Sequence, residues 1–528
     1  METVAMGQGQ ATTVASAPTQ SALTPTAKKE IGALWLAALG TAALGAWTIF
    51  DAMPGINWGL WTCALCAGLI AFTRHRRKAV PLAMLVPLAL AAAISLGSAI
   101  TADEPWLVFI VLVTVVLVAV GALFGAGDRA DTAGTLFIVT APIIAGIAGV
   151  IEVFKRLGEA FGIVRSERSL PALRGVVIAL PVVGLFALLL SGADPVLAGW
   201  REAIGTFLDS LEWLPRLVFF SVLGTIALGG FGYVLRGATP IRAAVPKVFD
   251  LRLGVTERLI MLGSVAGLFA LFLGLQLSYF FGNAPSVAGS GITFAEYARR
   301  GFAELTVVVT LCTVLILVTD RFAARGPKEE RVRITQLVLV GELQLFLVSA
   351  FRRVLLYEDA YGFTTARLYA QAYMVVVSIC LAMLAWEIWK SIDARRLARR
   401  GAVVAGTMFA GLLYWNHHAW IASRNIDRYA QTGKIDVMYL GRLSPNAVPT
   451  VVSAIPRLNP ADAALLRTCL HQTYWGSRMW TDEGQWYEWN LRRNAAKRAL
   501  SDAGIDVTIK PAPTPPGGSA PVCRYVPI

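Results

Sequence analysis

One stretch between two long apolar runs is unusually polar: LLYEDAYGFTTARLYAQAYM, residues 355–374, holds Glu358, Asp359, Arg367, Gln371 and four tyrosines. Before it, Glu342, Ser349 and Arg353 follow at spacings that place them on one stripe of a helix. A carboxylate in the middle of a bilayer is costly unless it is paired or faces water. The pattern therefore predicts a polar cavity in which Glu342 approaches Arg353 or Arg367. Its candidate lining is Glu342, Ser349, Arg353, Glu358, Asp359, Tyr361, Arg367 and Gln371.

The same residues admit a purely structural interpretation. Arg352, Arg353 and Arg367 could extend toward lipid headgroups while the acids pair locally. The tyrosines would then form an aromatic belt at the membrane surface. In both interpretations Gly362 permits a tight turn between two spans, and one of the two threonines that follow caps the second span.

A second charged pattern occurs in GITFAEYARRGFAEL, residues 291–305. Glu296, Arg300 and Glu304 stand at successive i,i+4 positions, where one arginine can pair with two carboxylates. One interpretation is a charged ladder that lines the outer mouth of the cavity. The other is an amphipathic helix that lies at the membrane surface and leads into a span.

Histidines and sequence motifs favour neither a metal centre nor an enzyme. The chain has four histidines, and the adjacent His417 and His418 would point about 100° apart on a helix, which does not suit a shared metal ion. We expect both to be solvated or to meet lipid headgroups. No nucleotide-binding, HExxH or nucleophile-elbow motif stands in a usable context. The sequence therefore predicts no metal, no cofactor and no catalytic residue.

Two cysteines, Cys469 and Cys523, stand outside the apolar runs. If their segment lies in an oxidising compartment, they could form a disulfide that closes a long loop. Alternatively, Cys469 is an unpaired core residue of a helix.

Composition places the chain in a membrane. Of its 528 residues, 56% are hydrophobic and 15% are charged, whereas soluble domains carry about a quarter charged residues. The net charge of +13 comes largely from short basic loops, which are typical of cytoplasmic loops rather than of nucleic-acid binding. We expect an all-α polytopic membrane protein whose partners are the lipid bilayer and a lipid or small solute, with no nucleic acid.

Apolar runs of membrane length recur along the chain. The basic loops, among them RHRRK and the tract from Lys390 to Arg400, should share the cytoplasmic side. The parity of the crossings then requires one candidate not to cross, and we expect it to be 135–154, which is short and carries Pro142. This predicts about eleven or twelve transmembrane helices, with the N-terminus in the cytoplasm. The candidate spans are 31–50, 55–73, 79–100, 106–126, 135–154, 174–191, 213–235, 257–282, 302–320, 333–356, 364–386 and 400–420.

Composition shifts divide the chain into four parts. They are a disordered tail at 1–30, a transmembrane domain at 31–420, a small extracytoplasmic helical domain at 421–508 and a Pro/Gly-rich tail at 509–528. In the third part, Asn459 predicts a helix start. Trp475, Trp480, Trp486 and Trp489 could contact a protein partner, fill the core of this domain or rest on the bilayer. A second helix between 482 and 503 would carry an apolar face. The residues on that face are Trp486, Trp489, Ala496 and Leu500.

Three tracts carry a family resemblance: AEYARRGFAEL, RRVLLYEDAYGFTTARLYA and NIDRYAQTGKIDVMYLGRLSPNAVP, in this order. Over residues 170–455 the chain resembles the bacterial polytopic family catalogued as domain of unknown function 4173, and its relative 4153. The resemblance implies a multi-pass protein of the bacterial cytoplasmic (inner) membrane. It implies no activity and no catalytic residues, because the family has no established activity.

These residues support three functions of different classes. A transporter, or a permease that handles a lipid or a solute, would use the polar cavity near the outer face. A membrane scaffold or sensor would present its C-terminal domain to a protein partner. A glycosyltransferase-like enzyme with a lipid-linked donor fits less well, because the first outer loop, DAMPG, offers Asp51 alone as a catalytic acid.

Overall fold

The computed structural model describes residues 25–127, 213–237, 252–281, 294–324, 327–476, 484–510 and 523. Across these ranges the chain is helical and forms no strand, and an isolated bridge joins Leu253 to Ala323. The predicted all-α class is confirmed.

Fifteen α-helices lie in the described ranges. The first five are α1 (Pro25–Thr48), α2 (Ile56–Arg77), α3 (Leu82–Leu96), α4 (Glu104–Ala126) and α5 (Leu214–Arg236). The next five are α6 (Val255–Phe281), α7 (Phe294–Arg321), α8 (Glu329–Tyr361), α9 (Thr365–Lys390) and α10 (Ala394–Tyr414). The last five are α11 (His417–Thr432), α12 (Val437–Gly441), α13 (Val448–Ala454), α14 (Pro460–Tyr474) and α15 (Leu491–Asp502).

Eight of these helices are long and apolar enough to cross a membrane. They are α1 to α6, α8 and α9, and each coincides with a span predicted from hydropathy. The predicted span 302–320 lies within α7. The candidates 135–154 and 174–191 lie outside the described residues.

The last predicted span, 400–420, differs from the structure. Helix α10 starts at Ala394 and ends at Tyr414, and a new helix follows. The turn between them is fixed by Asn416, whose side chain caps α11 by accepting a hydrogen bond from the backbone N–H of Ala419 at 3.3 Å. Because apolar residues flank this turn on both sides, the hydropathy pattern predicted one continuous span where the structure has two helices.

Two hydrophobic cores hold the membrane helices together. Helices α1 to α5 share the first, in which Leu34, Leu69 and Phe231 are buried. The Phe231 ring packs directly onto Gly68, where a Cβ atom would overlap it. Helices α6 to α9 share the second core, around Leu343. Such close packing holds helices together in lipid, because lipid tails are as apolar as the side chains themselves.

A smaller cluster joins these two groups of helices. Ile94 of α3, Ile110 of α4 and Leu413 of α10 are buried together with Trp106. Tyr369 of α9 packs against them. Helices α4, α9 and α10 therefore meet at one end of the bundle.

At that end of the bundle, the C-terminal helices, α11 to α15, lie across the turns between the membrane helices. We call this end the domain side. The N–H of Ile56, after the α1–α2 turn, donates to the carbonyl of Trp489 at 3.2 Å. The N–H of Ala102, in the α3–α4 turn, donates to Oδ1 of Asn446 at 2.8 Å. The α8–α9 turn makes a third contact of this kind, in which the N–H of Phe363 donates to Asn425 of α11 at 2.9 Å. Since each of these turns joins two antiparallel helices, the remaining helix ends lie on the opposite side.

The opposite side carries the basic loops, and we call it the basic side. Arg76, in the last turn of α2, donates to the carbonyls of Gly125 and Ala126 at 2.7 and 2.8 Å, which caps the end of α4. Arg258 of α6 pairs with Glu329 of α8 at 2.9 Å. The bundle therefore separates the basic loops from the C-terminal helices.

The C-terminal helices have a hydrophobic core of their own. It extends from Ala422 of α11 to Val507, just after α15. Helix α14 starts where the sequence predicts, because the side chain of Asn459 accepts a hydrogen bond from the N–H of Asp462 at 2.8 Å. The structure also bonds Cys469 of α14 to Cys523, with their Cα atoms 5.0 Å apart.

The predicted aromatic face between residues 482 and 503 is wrong. Ala496 and Leu500 are buried in α15, but Trp486 is 63% exposed and Trp489 is 44% exposed. The reason is that Asn490 caps α15, so both tryptophans precede the helix and lie in or beside a 3-10 turn. That turn contacts the membrane end of α1, since the rings of its Tyr487 and of the exposed Trp47 lie 5.7 Å apart. Trp486 and Trp489 therefore lie beside the domain-side end of α1.

Candidate functional site

The α8–α9 turn brings several of the predicted cavity residues together. Nε2 of Gln371 donates to Oε2 of the buried Glu358 at 2.7 Å. The guanidinium of Arg367 lies 4.0 Å from the ring centre of Tyr357 and donates to the carbonyl of Gly362. This part of the predicted cavity is a compact polar region at the domain side.

The mid-membrane part of the predicted cavity does not join it. Glu342 is 8% exposed, and its Oε2 atom has no hydrogen-bond partner. Across the described ranges Glu342 forms no ion pair with Arg353 or Arg367. A helix rises 1.5 Å per residue, so Glu342 lies about 24 Å along α8 from Glu358. Ser349 is buried between these two levels.

The predicted charged ladder falls on the first turns of α7. The backbone at Glu296, Arg300 and Glu304 is helical, in keeping with the i,i+4 pattern. The side chains of these residues lie outside the described part of the structure.

A cavity of about 230 Å³ opens where α8 ends and α9 begins. Its walls come from the α8–α9 turn on one side, and from α11 and the segment leading into α12 on the other. We call it the turn pocket. Its lining is Tyr357, Tyr361, Phe363, Thr364, Arg367, Asn425, Arg428, Lys434, Ile435, Asp436 and Tyr439.

Cationic side chains outnumber acids in the turn pocket. Arg367, Arg428 and Lys434 line it, and within the described residues none of the three forms a salt bridge. The acid of the lining is Asp436, whose carboxylate caps α12 by accepting a hydrogen bond from the N–H of Tyr439 at 2.9 Å. The lining therefore has a surplus positive charge. Asp359, also predicted for the cavity, is exposed and offers its backbone carbonyl to Nε of Arg428 at 3.3 Å.

The backbone of the α8–α9 turn is held by an amide of α11. Asn425 accepts a hydrogen bond from the N–H of Phe363 at 2.9 Å and donates to the carbonyl of the same residue at 2.8 Å. Gly362 has φ of 85°, which favours glycine, and a Cβ atom there would clash with Asn425. As predicted for one of the two threonines, Thr364 caps α9.

Tyr439 closes the pocket from α12. Its hydroxyl accepts a hydrogen bond from the N–H of Thr365 at 2.9 Å. Burial raises the pKa of Tyr439, so the side chain remains a neutral phenol. Sequence reasoning missed the residues of α11 and α12 in this site. Their signal was the tract NIDRYAQTGKIDVMYL, whose polar residues recur at helical spacing.

A second polar cluster lies under the α3–α4 turn. Nε2 of His418 is 2.8 Å from Oδ2 of Asp103, the residue before α4, and the rings of His417 and His418 are 4.4 Å apart. We call Asp103, His417 and His418 the histidine cluster. The prediction of solvated histidines is wrong, because His417 is 2% exposed and His418 is 5% exposed. Asn416 before them is not helical, which lets both rings point beneath the same turn.

His417 is held by neutral partners. Its Nε2 lies 2.8 Å from the hydroxyl of Tyr369, which also accepts a hydrogen bond from Nε1 of Trp106 at 2.8 Å. Its Nδ1 faces the carbonyl of Leu412 at 3.1 Å. Burial, and next the neighbouring His418, lowers the pKa of His417 to about 4. The imidazole is therefore neutral near pH 7.

A model of the family described as Domain of unknown function (DUF4153) matches residues 85–454. The chain belongs to the DUF4153 family. Of the two related families that the sequence resembles, 4173 and 4153, this match establishes 4153. The matched region begins at residue 85, closer to the N-terminus than the residue 170 at which the resemblance starts. The turn pocket and the histidine cluster both lie within the DUF4153 region, whereas Cys469 and Cys523 lie outside it. No curated protein and no solved structure matches the sequence.

Proposed function

We propose that this DUF4153 protein is a permease-like membrane protein that holds a phosphate-bearing anion in the turn pocket. The anion is either the headgroup of a lipid or a free solute. The observation that carries the proposal is the charge of the lining: Arg367, Arg428 and Lys434 face about 230 Å³ of space beside Asp436. Cations that form no salt bridge among the described residues, gathered at one small cavity, favour an anionic ligand.

The geometry of the two arginines suits phosphate. A guanidinium presents five N–H donors in a rigid plane and binds phosphate oxygens in pairs. Arg367 donates to Gly362, and Arg428 donates to Asp359 and Ala360, so each keeps further donors for a ligand. The cavity is smaller than a drug-sized site of about 300–1,000 Å³, which suits a headgroup or small anion.

The position of the pocket supports access from the membrane surface. It lies where α8 ends and α9 begins, and because both helices are long and apolar enough to cross a membrane, we infer that this turn is near the lipid headgroups. The buried Glu342 lies on the same helix, about 24 Å from Glu358, and does not join the pocket. A small polar cavity between the α8–α9 turn and the C-terminal helices favours a permease, which handles a small ligand, over a scaffold.

We also propose that the basic side faces the cytoplasm of a bacterial inner membrane, so that the turn pocket and the C-terminal helices face outward. The support is the excess of lysine and arginine in the loops of that side. Alkaline phosphatase fused to the C-terminus of the full chain should be active, and a fluorescent protein fused there should be dark. The opposite pair of results would reverse the orientation.

Replacing both Arg367 and Arg428 by glutamine should weaken phosphate binding at least tenfold. Each hydrogen bond to a charged group contributes about 1.5–3 kcal/mol, and about 1.4 kcal/mol corresponds to a factor of ten in affinity. Binding is measured by native mass spectrometry with phosphatidylglycerol and with phosphatidylcholine, and by calorimetry with inorganic phosphate. Selective retention of phosphatidylglycerol would identify an anionic lipid, and binding of inorganic phosphate would identify a solute.

The matched control is Arg424→Gln. Arg424 lies one turn before Arg428 on α11, stacks on Trp420 at 5.5 Å and does not line the pocket. It should bind like the unmodified protein. Equal binding by the double variant and this control, for all three ligands, would rule out the turn pocket as the site.

A further inference from the structure

The histidine cluster gathers three metal-ligating side chains from two parts of the chain. Asp103 precedes α4, and His417 and His418 begin α11. Each offers one donor atom, and these atoms all lie within 4.8 Å of one another. Relative exposures are 5% for Asp103, 2% for His417 and 5% for His418, so water does not compete for the donors. A carboxylate and two imidazoles are ligands that transition metals accept.

A second observation is an unpartnered nitrogen. Nε2 of His418 lies beside Oδ2 of Asp103 at 2.8 Å, yet Nδ1 of the same ring is buried and has no hydrogen-bond partner. A buried polar atom without a partner destabilises a fold. The ring of His418 is therefore incompletely hydrogen-bonded, and Nε2, the nitrogen that faces Asp103, is the atom that can share an ion with that carboxylate.

We propose that Asp103, His417 and His418 together bind one divalent first-row metal ion, of which Zn²⁺ is the best match to two nitrogen donors and one oxygen donor. Neighbouring ligands of a tetrahedral zinc ion are about 3.3 Å apart, so donors that lie within 4.8 Å of one another need to close by at most about 1.5 Å. The hydroxyl of Tyr369, 2.8 Å from Nε2 of His417, is placed to supply an oxygen as the fourth ligand.

A metal ion here would tie the C-terminal helices to the membrane bundle. Asp103 belongs to the α3–α4 turn, whereas the histidines begin the helix that also carries Asn425 and Arg428 of the turn pocket. The ion would therefore fix α11 against α4 and stiffen one wall of that pocket. Its role is structural, and it does not depend on what the pocket binds.

The first test uses the full-length protein without a polyhistidine tag, stripped with a chelator and then titrated with Co²⁺. We expect one Co²⁺ per chain, the visible d–d absorption of a low-symmetry site, and loss of that absorption when Zn²⁺ is added. The melting temperature should rise with either metal, because the ion binds the folded state. Absence of both d–d absorption and retained metal in the unmodified protein would overturn the proposal.

The second test locates the site. His418→Gln and Asp103→Asn should each lower metal affinity at least about tenfold, as changes to ligands and their supporting groups do. The matched control is His471→Gln, because His471 is a partly exposed histidine of α14 that contacts the carbonyl of Ile509. Metal content by mass spectrometry should be unchanged in this control. Metal retained by both cluster variants, or lost in the control instead, would place the site elsewhere and overturn the proposal.

Discussion

Reducing the bond between Cys469 and Cys523 should lower the free energy of unfolding of the C-terminal helices by about 4 kcal/mol, because the loop that it closes is long. The two cysteines are 54 residues apart in sequence. The bond also fastens the end of the chain to α14, where Thr473 donates to the carbonyl of Cys523 at 2.8 Å. Thermal unfolding of the full-length protein with and without a reductant measures the effect, and Cys469→Ser should reproduce it.

The control for this prediction is Cys63→Ser. Cys63 is an exposed thiol of α2 without a disulfide partner, so its replacement should leave both the stability and the response to reductant unchanged. Peptide mapping of non-reduced, alkylated protein should recover the linked Cys469–Cys523 pair. Two separately alkylated cysteines, in protein kept under oxidising conditions, would refute the bond.

Asn490→Ala should lower the free energy of unfolding by about 2–4 kcal/mol. The change leaves buried backbone groups without hydrogen-bond partners, and each such group destabilises the fold by about 1–3 kcal/mol. Asn490 is 1% exposed, and its Nδ2 donates to the carbonyls of Ser98 and Thr101 at 2.7 and 2.8 Å. Its Oδ1 accepts a hydrogen bond from the N–H of Arg493 at 2.9 Å. The variant should therefore both fray α15 and loosen it from the α3–α4 turn.

Limited proteolysis and thermal unfolding in detergent test this prediction together. The matched control is Asn494→Ala, one turn further along α15, since the described residues make no hydrogen bond to that side chain. The control should melt like the unmodified protein, whereas Asn490→Ala should melt earlier and release the C-terminal helices more readily. Indistinguishable melting of the two variants would mean that Asn490 does not hold this contact.

The membrane helices were predictable because a bilayer imposes a simple requirement on sequence. Each span must supply about 20 apolar residues and satisfy its own backbone, and eight helices meet that description. The helix start at Asn459 was predictable for a similarly local reason, since a cap acts on the next three residues. The break at Asn416 was missed because an apolar run on both sides outweighed one capping residue.

The turn pocket was only half predictable. Tyr361 and Arg367 belong to one turn and could be grouped from sequence, but Asn425 meets Phe363 across a separation of 62 residues. The histidines were misjudged because the 100° step between neighbours in a helix does not fix where two flexible side chains end, and the two rings lie 4.4 Å apart. Long-range packing decided both outcomes, and no local pattern encodes it.

A cryo-EM map of the full-length protein in phosphatidylglycerol nanodiscs, with inorganic phosphate in the buffer, tests the proposed ligand most directly. We expect density for a phosphate group in the turn pocket, within hydrogen-bond distance of the guanidinium groups of Arg367 and Arg428. A well-ordered pocket without such density, in which both guanidinium groups instead pair with carboxylates of the protein, would contradict it.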